Sequence, residues 1–514
     1  MTDPQKAYPG ETDMPPLQQR QVSLRTGVPV PAPVQQAWLR AGTSPNGSPK
    51  KLSSALPRPP PKVQPFPFEQ WTYELINDPD RDFLIRGLSN GFDIINSNKP
   101  LRSTEAPNHP SAIAERQAVE QQILTEISEG RYVITKDKPL IVSALGAISK
   151  AGGGVRLIHD CCKPEGSSVN DHAKLTSVIQ YQSVHDATSL ITTGCYLCKI
   201  DLKNAYRSVP INPAHYQYTG LKWHFSDDNK PTYLYDTRLP FGARLSVKVF
   251  HRLSRAVQRI LARHGITAVV YLDDFLIVSK SKDAAGTDIL KAITILRRLG
   301  FSIAYRKVEG PSQKLVFLGI EINSVSQTLH LPAEKIANLS SLLKQFLERP
   351  RASQRQLQSL AGKLSWASCV IRGGRTFLRR VLDTMHPLKK PTHKVKLSAE
   401  FYADIKWWLS CMHVFNSTSF GSQSRTCHVI STDASNRGAG MTLDDSDWAY
   451  MDWEIDLPDV FKSHVNIKEC VSAVFAILRW APMLKDSHVV LLTDNIFTKY
   501  VINKNVCRTP SLMP

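Results

Sequence analysis

The sequence predicts a protein of mixed α/β class with about three domains. Its 514 residues exceed the size at which one hydrophobic core stops growing, since domains of about 150 residues are usual. The segment from Leu140 to Ile320 alternates short β-branched runs with longer helical patterns, which is typical of a mixed α/β domain. After Cys427 a strand pattern, a glycine-containing turn, a helix and another strand indicate a second α/β unit.

Composition and periodicity divide the chain into five segments. Residues 1–67 contain 15 of the 34 prolines and few large apolar residues, so we expect a disordered tail. Residues 68–130 are predicted to be a helical lead-in whose role the sequence does not indicate. We expect the main α/β domain over residues 131–325, a helical region over residues 326–425 and the second α/β unit over residues 426–514.

Charge and cysteine usage limit the partners and the compartment. Lys and Arg number 64 against 45 Asp and Glu, and the net charge of +19 favours nucleic acid as a partner. The nine cysteines are scattered, which favours free thiols in a reducing compartment. Cys195 and Cys198 form a lone CxxC, for which we favour buried thiols over a metal site. No apolar run reaches about 18 residues, so we expect an intracellular protein outside the membrane, in the cytoplasm or the nucleus.

Three carboxylates occupy positions that suit a metal site. The run AVVYLDDFLIVSK predicts a β-hairpin with Asp273 and Asp274 at its tip, although acidic residues are also common in ordinary turns. Earlier in the chain, CKIDLKNAYRSVPI ends an apolar strand with Asp201. Carboxylates about 4 Å apart would repel by roughly 4 kcal/mol per pair. Because divalent cations remove that cost, the pattern predicts a site for Mg²⁺, with Mn²⁺ as the alternative ion.

These motifs together resemble the reverse transcriptases. YLDD is similar to the family's YxDD box, and Asp201 with Tyr206 is similar to its first carboxylate motif. The resemblance implies a right-hand polymerase that copies RNA into DNA, with fingers and palm over residues 131–325 and a thumb or connection over residues 326–425. Four further segments match in the family's order: RLIHD (156–160), LPFGARLSVKVF (239–250), SIAYRKVEG around Lys307, and the primer-grip-like VFLGIEI (316–322).

The resemblance also implies roles for the acidic and basic residues. Asp201 and Asp273 would bind the metals directly, and Asp274 would support them. Arg156 would clamp the triphosphate with Lys150 as a helper, the alternative for Arg156 being a surface ion pair. The partners implied are an RNA template, a DNA primer, the RNA–DNA hybrid and deoxynucleoside triphosphates.

Three further residues are expected beside the nucleotide. Tyr206 would lie beneath the sugar and exclude a 2′-hydroxyl, the alternative being a core tyrosine. Phe241 would offer a packing face where retroviral relatives often have glutamine. Lys307 is expected either to donate a proton to pyrophosphate or to be a solvated lysine.

A second set of carboxylates lies in the C-terminal unit. Asp433 and Asp494 end strand-like runs, and Glu469 begins a helical run, an arrangement that can hold two metals. It resembles ribonuclease H in order and in its place downstream of a reverse transcriptase. That family uses a fourth carboxylate on a later helix, but we predict no helix in the 20 residues after Asp494. We expect either a fragment of a longer polyprotein or a domain that has lost this ligand.

Other features bear on subfamily and on rival functions. LPFG, FLGIEI, RQLQSLAGKLSWAS, STDAS and NIKE most resemble the tyrosine-recombinase retrotransposons of DIRS type, followed by gypsy-class long-terminal-repeat elements. The alternatives are a non-catalytic nucleic-acid-binding remnant and an RNA-dependent RNA polymerase, which Tyr206 disfavours. A helix is predicted from Arg244 to His264, and its basic face is expected either to contact the template or to be solvated. That face consists of Lys248, Arg252, Arg255 and Arg259.

Overall fold

The computed structural model describes residues 66–150, 153–226, 228, 230–421, 426–485 and 487–504. All of these residues belong to one of two units into which the chain divides, the unit that runs from Pro57 to Pro514. The predicted disordered tail therefore lies outside the described residues except for its last two positions. Among the described helices, none is both long enough and apolar enough to cross a lipid bilayer.

The predicted lead-in is partly helical and contributes to the main core. Trp71 of its first helix is fully buried and donates an Nε1 hydrogen bond of 2.9 Å to the Leu299 carbonyl, far along the chain. Phe66 packs edge-on against Phe301 with ring centroids 5.5 Å apart. The elements are α1 (Phe68–Glu74), α2 (Arg81–Asn90), β1 (Thr104–Glu105), α3 (Pro110–Ala114) and α4 (Arg116–Ser128).

A five-stranded sheet and a separate β-hairpin follow. The elements are β2 (Tyr132–Thr135), β3 (Ile141–Val142), β4 (Ala144–Ser149), β5 (Val155–Asp160), α5 (Val184–Thr188), β6 (Tyr196–Asp201), α6 (Ala205–Ser208), β7 (Gly220–Trp223) and β8 (Thr232–Asp236). The sheet has the order β1-β3-β7-β8-β2, and β4 pairs with β5. In β5 the alternation buries Val155, Leu157 and His159 and exposes Arg156, because successive side chains of a strand point to opposite faces.

The central sheet carries the predicted hairpin. Its elements are α7 (Arg244–Arg263), β9 (Ala268–Tyr271), β10 (Asp274–Ser279), α8 (Lys282–Arg298) and β11 (Glu309–Ser312). The four strands have the order β11-β6-β10-β9. Apolar residues at helical spacing on α7, including Val249, Leu253, Val257 and Leu261, pack in one core with apolar side chains of this sheet such as Ile277. The predicted mixed α/β class of this domain is confirmed.

The next region combines helices with a small sheet. Its strands are β12 (Lys314–Phe317), β13 (Ile320–Asn323), β14 (Thr328–His330), β15 (Arg351–Ser353), β16 (Lys394–Lys396) and β17 (Thr418–Ser419). Its helices are α9 (Ala333–Glu348), α10 (Gln354–Ala367), α11 (Arg379–Met385) and α12 (Ala399–Val414). Helix α10 begins with a capping box between Ser353 and Gln356. The sheet β12-β13-β14-β17 contains strands from both sides of residue 325. It therefore does not mark the boundary that the sequence predicts between residues 325 and 326, and that boundary stays a prediction.

The C-terminal unit has a four-stranded sheet packed against one long helix. Its elements are β18 (Cys427–Ala434), β19 (Gly438–Leu443), β20 (Asp447–Asp452), α13 (Trp453–Asp456), α14 (Pro458–Phe461), α15 (Val465–Arg479), α16 (Ala481–Leu484), β21 (His488–Leu492) and α17 (Ile496–Lys504). The order is β20-β19-β18-β21, with β18 and β21 parallel. The expectation of no helix after Asp494 was wrong, since α17 begins two residues later. Within the described residues, four short 3-10 helices lie at Val169–His172, Pro213–Tyr218, Tyr305–Lys307 and Thr376–Leu378.

The basic face of α7 is covered in part by the connection between α1 and α2. Arg259 donates from Nη2 to Asp78 Oδ1 at 2.7 Å and to Asp80 Oδ2 at 2.9 Å. Arg252 donates from Nε to Asp80 Oδ1 at 2.7 Å, and its guanidinium lies 3.6 Å from the Phe83 ring centroid. These two arginines are ion-paired rather than fully solvated, with side chains 30% and 33% exposed, and contact with the template stays a prediction. The partners are carboxylates from far earlier in the chain.

We expect Arg259→Met to destabilise the protein by about 2 kcal/mol, because the fully buried Asp78 side chain then loses its charged partner. Thermal and urea denaturation would measure the loss. Arg255→Met is the matched control, since Arg255 lies one turn earlier on α7 and donates to the Gln258 amide rather than to a carboxylate. Equal stability of the two variants would contradict this account of α7.

Candidate active site

The β9–β10 hairpin brings the three predicted polymerase carboxylates to one edge of the central sheet. Leu272 turns the chain with a positive φ of 54°, and Asp273 follows at the tip. Asp274 opens β10, where it is paired directly with Asp201 at the end of the antiparallel strand β6. Directly opposed residues of such a pair have Cα atoms about 5 Å apart. The strand register therefore places Asp201 beside both hairpin carboxylates.

Burial and mutual repulsion disfavour the ionised form of the hairpin carboxyl groups. Burial raises the pKa of Asp274 to about 6, and the charges of Asp273 and Asp201 add to the shift. Burial also raises the pKa of Asp273, with Asp201 contributing against an opposing backbone hydrogen bond. Lys307 compensates part of this charge, with its Nζ 3.0 Å from Asp201 Oδ2. Clustered carboxylate oxygens are the donor set that suits Mg²⁺, so these residues fit the expected metal.

A cavity of about 570 Å³ lies beside the hairpin. Its walls combine carboxylates, cationic side chains and aromatic rings, which are the groups that a metal-bound, triphosphate-bearing nucleoside requires. Asp274 is not part of the wall, which agrees with its predicted supporting position. The predicted residues that line the cavity are Lys150, Arg156, Asp201, Tyr206, Phe241, Asp273 and Lys307.

The aromatic wall of the cavity is ordered by stacking. The Tyr206 ring stacks on Phe250 with centroids 4.8 Å apart and lies 5.4 Å from Phe241 in a tilted arrangement. The Arg156 guanidinium in turn lies 5.3 Å from the Phe241 ring centroid. Tyr206 is thus a core side chain, 9% exposed, that also forms part of the cavity wall. The two sequence-based alternatives for Tyr206 do not exclude each other.

Two buried polar contacts that sequence reasoning missed hold the turn of the LPFG segment. The His159 backbone N–H donates to the Phe241 carbonyl at 3.0 Å. Asn170, 5% exposed, donates from Nδ2 to the Gly242 carbonyl and accepts from the Arg244 N–H at 2.7 Å. A Cβ at Gly242 would lie 1.9 Å from the His159 carbonyl oxygen, and its φ is +124°. Only glycine fits this close approach of two backbones.

The C-terminal unit holds a second carboxylate cluster. Asp433, Glu469 and Asp494 each present an oxygen within 4.8 Å of the others. In the described part of the chain no other group of acidic, His or Cys side chains is this compact, and Asp201, Asp273 and Asp274 are more widely spread. The parallel pairing of β18 with β21 explains the cluster, since their carboxyl ends meet at one edge of the sheet.

Glu469 gives this cluster the character of a cation site. It is 4% exposed, its Oε1 accepts from the Ala434 N–H at 3.2 Å, and its Oε2 is buried without a hydrogen-bond partner. Burial raises the pKa of Glu469, and the charges of Asp433 and Asp494 add to the shift. An unpartnered buried carboxylate oxygen is costly unless a cation compensates it. The three residues therefore fit Mg²⁺ as well.

The lone CxxC forms no metal site among the described residues. Cys195 and Cys198 are both buried free thiols, and Cys198 Sγ donates to the Ala285 carbonyl at 3.7 Å. Burial raises the pKa of Cys198 to about 11, so the thiolate that would bind a metal is disfavoured. The preference for buried thiols agrees with this geometry.

We expect Asp274→Asn to stabilise the metal-free protein above pH 6. A carboxyl group whose pKa is raised by folding contributes stability below about pH 4, and this stability is lost as the pH rises through about 6. Asparagine cannot ionise, so the variant should exceed the wild type by about 1 kcal/mol at pH 8 in EDTA, allowing for solvent screening. Thermal denaturation at pH 4 and pH 8 measures this. Asp283→Asn, on the exposed start of α8, is the control, and equal melting of all three proteins at pH 8 would contradict the argument.

Comparison with known proteins agrees with this geometry. Residues 148–322 match the family model described as reverse transcriptase (RNA-dependent DNA polymerase). The Gag-Pro-Pol polyprotein of bovine leukemia virus (isolate Australian) is 25% identical over 301 residues, which is 58% of this chain and 20% of that protein. The Pro-Pol polyprotein of simian foamy virus type 1 is 26% identical over 234 residues, 44% of this chain and 18% of that protein. Protein P of heron hepatitis B virus is 23% identical over 211 residues, 41% of this chain and 25% of that protein.

Solved structures share the fold at low identity. The foamy viral protease-reverse transcriptase in complex with RNA/DNA hybrid superposes with a TM-score of 0.53 at 15% identity, covering 89% of this chain and 65% of that chain. The same viral protein in complex with dsDNA gives 0.51 at 16% identity, covering 85% and 91%. The predicted polymerase fold is thereby confirmed. The chain spans a quarter or less of the length of these curated relatives. Residues 148–322 are a reverse transcriptase domain of the retroelement and retroviral type.

Proposed function

We propose that this protein is an RNA-directed DNA polymerase that extends a DNA primer on an RNA template by two-metal nucleotidyl transfer. The observation that carries the proposal is the pairing of Asp274 with Asp201 beside a cavity that also contains Arg156 and Lys307. Acidic side chains that hold metal, next to cationic side chains that hold triphosphate, are the arrangement which phosphoryl transfer requires.

Asp201 and Asp273 would hold Mg²⁺ or Mn²⁺, with Asp274 supporting them from behind. The bound metal would lower the pKa of the primer 3′-hydroxyl and neutralise charge on the triphosphate. Arg156 would bind the triphosphate through its planar fork of donors, and Lys150 would add a second positive charge at the same wall of the cavity. Lys307, ion-paired with Asp201 at the cavity wall, would donate a proton to the departing pyrophosphate.

Tyr206 would select the sugar. Its ring is fixed from below by stacking on Phe250 and flanked by Phe241, so it cannot withdraw to admit an additional hydroxyl. A rigid ring beneath C2′ admits deoxynucleotides and excludes ribonucleotides by overlap. This feature favours a DNA product over the alternative of an RNA-dependent RNA polymerase.

The second candidate activity is ribonuclease H cleavage of the RNA strand in an RNA–DNA hybrid. It is favoured by the compact cluster of Asp433, Glu469 and Asp494 and by the unpartnered Glu469 oxygen. The described residues of α17 contribute no fourth carboxylate. Three carboxylates bind one Mg²⁺ well but compensate a second metal poorly, so we propose weak cutting by this chain.

We further propose an origin in a retrotransposon of DIRS type, with the gypsy class as the alternative. The support is the run RQLQSLAGKLSWAS, which starts at the second residue of α10, together with STDAS at the end of β18 and NIKE at the start of α15. The rival function is a nucleic-acid-binding remnant without catalysis. It is disfavoured because Asp201, Asp273 and Asp274 are all present and adjacent.

We expect Asp273→Asn to abolish extension of a DNA primer on an RNA template, because a metal ligand and its charge are lost together. Binding of the primer–template, measured by fluorescence anisotropy, should change less than about threefold, since the contacts to phosphates remain. Asp283→Asn on the exposed face of α8 should extend primers at the wild-type rate. Extension by the Asp273→Asn variant at that rate would overturn the two-metal assignment.

We expect the wild-type chain to cut an RNA–DNA hybrid weakly or undetectably in Mg²⁺, and Asp433→Asn to remove any cutting that is seen. Calorimetry should detect Mg²⁺ binding that Asp433→Asn weakens by about tenfold or more, whereas Glu454→Gln, on exposed α13, leaves it unchanged. Vigorous cutting that depends on Asp433 would show that another residue completes the site.

A further inference from the structure

A buried ionic cluster lies against the wall of the nucleotide cavity. Its centre is Arg207, the residue after Tyr206, which is 8% exposed. Arg207 donates from Nη1 to Asp236 Oδ2 at 2.5 Å and from Nη2 to Glu126 Oε2 at 2.8 Å. Asp236 is fully buried, and Arg207 and Glu126 both line the cavity. One guanidinium thus joins a carboxylate of α4 to a carboxylate of β8.

A second layer of contacts completes the cluster. Arg131 donates from Nε to Glu126 Oε2 at 2.5 Å, and the Tyr132 hydroxyl lies 2.7 Å from His159 Nε2. The Arg207 guanidinium lies 5.2 Å from the Tyr132 ring centroid. Burial, with the charge of Arg207 adding to it, lowers the pKa of His159 to about 3, so this imidazole is neutral.

The charges of the cluster therefore balance. Two arginines face two carboxylates. Burial raises the pKa of Glu126, but Arg207 and Arg131 outweigh it and hold that pKa at about 2. Asp236 is ionised at neutral pH although burial raises its pKa to about 6. A charge-balanced buried cluster contributes little more stability than apolar side chains of the same volume would. We therefore look for its role in the positions that its directional hydrogen bonds fix.

The cluster is connected to each nucleotide-binding wall of the cavity. Arg207 follows Tyr206 directly and also donates to the Leu239 carbonyl at 3.4 Å, at the start of the LPFG segment. His159 lies three residues after Arg156 on β5, and its backbone N–H holds the Phe241 carbonyl. The sugar-facing ring and the triphosphate clamp thus share one buried support.

Helix α6 depends on such a support. It has only four residues and follows Asn204, whose φ of 56° turns the chain sharply. A helix this short has no stability of its own, so the height of the Tyr206 ring is set by tertiary contacts. These contacts include the stacking of Tyr206 on Phe250, its packing beside Phe241, and the fork of Arg207 between Asp236 and Glu126.

We propose that Arg207 is a positioning residue that fixes Tyr206 against Phe241, the ring over which Arg156 lies, and so determines discrimination between deoxy- and ribonucleotides. This inference rests on the proposed polymerase function. Arg207 bonds to protein groups on both of its sides and acts on the nucleotide through Tyr206. A contribution to stability alone would leave sugar selection unchanged, which gives the proposal a distinct readout.

The test is single-nucleotide addition by the full chain, with kcat and KM measured for a deoxynucleotide and the matching ribonucleotide. Arg207→Lys keeps the charge but loses the fork that reaches both carboxylates. We expect the ratio of kcat/KM for the two sugars to fall by about tenfold, chiefly through a lower KM for the ribonucleotide, with kcat for the deoxynucleotide within about twofold. Glu126→Gln, which leaves Arg207 paired with Asp236, should give a smaller fall in the same direction.

Arg380→Lys is the control, because Arg380 forms another ion pair with a buried carboxylate, 2.6 Å from Asp404, between α11 and α12. It should lower stability without changing the sugar ratio. Combining Arg207→Lys with Tyr206→Ala should lower the ratio no further than Tyr206→Ala alone, since both changes act on one ring. An unchanged ratio in Arg207→Lys and Glu126→Gln, or full additivity with Tyr206→Ala, would overturn the proposal. Absence of nucleotide addition by the wild type would instead overturn the polymerase function on which it rests.

Discussion

The repulsion among three carboxylates at the β9–β10 hairpin is the constraint on which the rest of the polymerase domain depends. Strand register leaves no freedom here, because a slip of one residue would turn every side chain of β10 to the other face of the sheet. Asp274 must therefore face Asp201 for as long as Phe275 and Ile277 stay in the core. The apolar packing of the sheet holds charges in a position that they would otherwise leave.

Repulsion among clustered carboxylates occurs at two sites in this protein, and the surroundings of the two clusters differ. In the polymerase domain Asp201 and Asp273 line the cavity wall, Asp274 lies outside it, and Lys307 on a short 3-10 helix compensates Asp201. In the C-terminal unit the oxygens lie closer together, and Glu469 keeps one oxygen buried without a partner. Functional sites commonly hold such locally unfavourable arrangements, and the surrounding fold offsets them. The second cluster has the greater need for a cation.

The sequence predicts those site residues that lie at the ends of strands. Asp201, Asp433 and Asp494 follow apolar runs, and parallel or antiparallel pairing brings such positions together whatever the intervening loops do. The fold class of the polymerase domain follows from the same alternation. The 3.6-residue period of α7 was equally clear, and its helix is observed from Arg244 to Arg263.

Contacts between distant polar residues could not be predicted in this way. Arg252 and Arg259 look like a solvent-facing stripe because their partners, Asp78 and Asp80, lie more than 170 residues earlier. Arg207 is one more basic residue in a basic chain until Asp236 and Glu126 surround it. Helix α17 has weak amphipathic periodicity and a Thr-, Ile- and Asn-containing composition, so its formation depends on packing. An ion pair between residues far apart in the sequence leaves no repeating pattern along the chain, so periodicity cannot predict it.

The docking of α1 and α2 also constrains the order in which the domain can assemble. The Trp71 indole reaches the Leu299 carbonyl, and the two are separated by 228 residues. Because chains emerge from the ribosome N-terminus first, Trp71 of α1 lacks this partner until the 228 residues that lead to Leu299 have been synthesised. Closure of so long a loop is slow in comparison with local helix formation. Helix α1 thus reaches its place only after α8, which ends at Arg298, has been synthesised, and until then its aromatic side chain is exposed to aggregation.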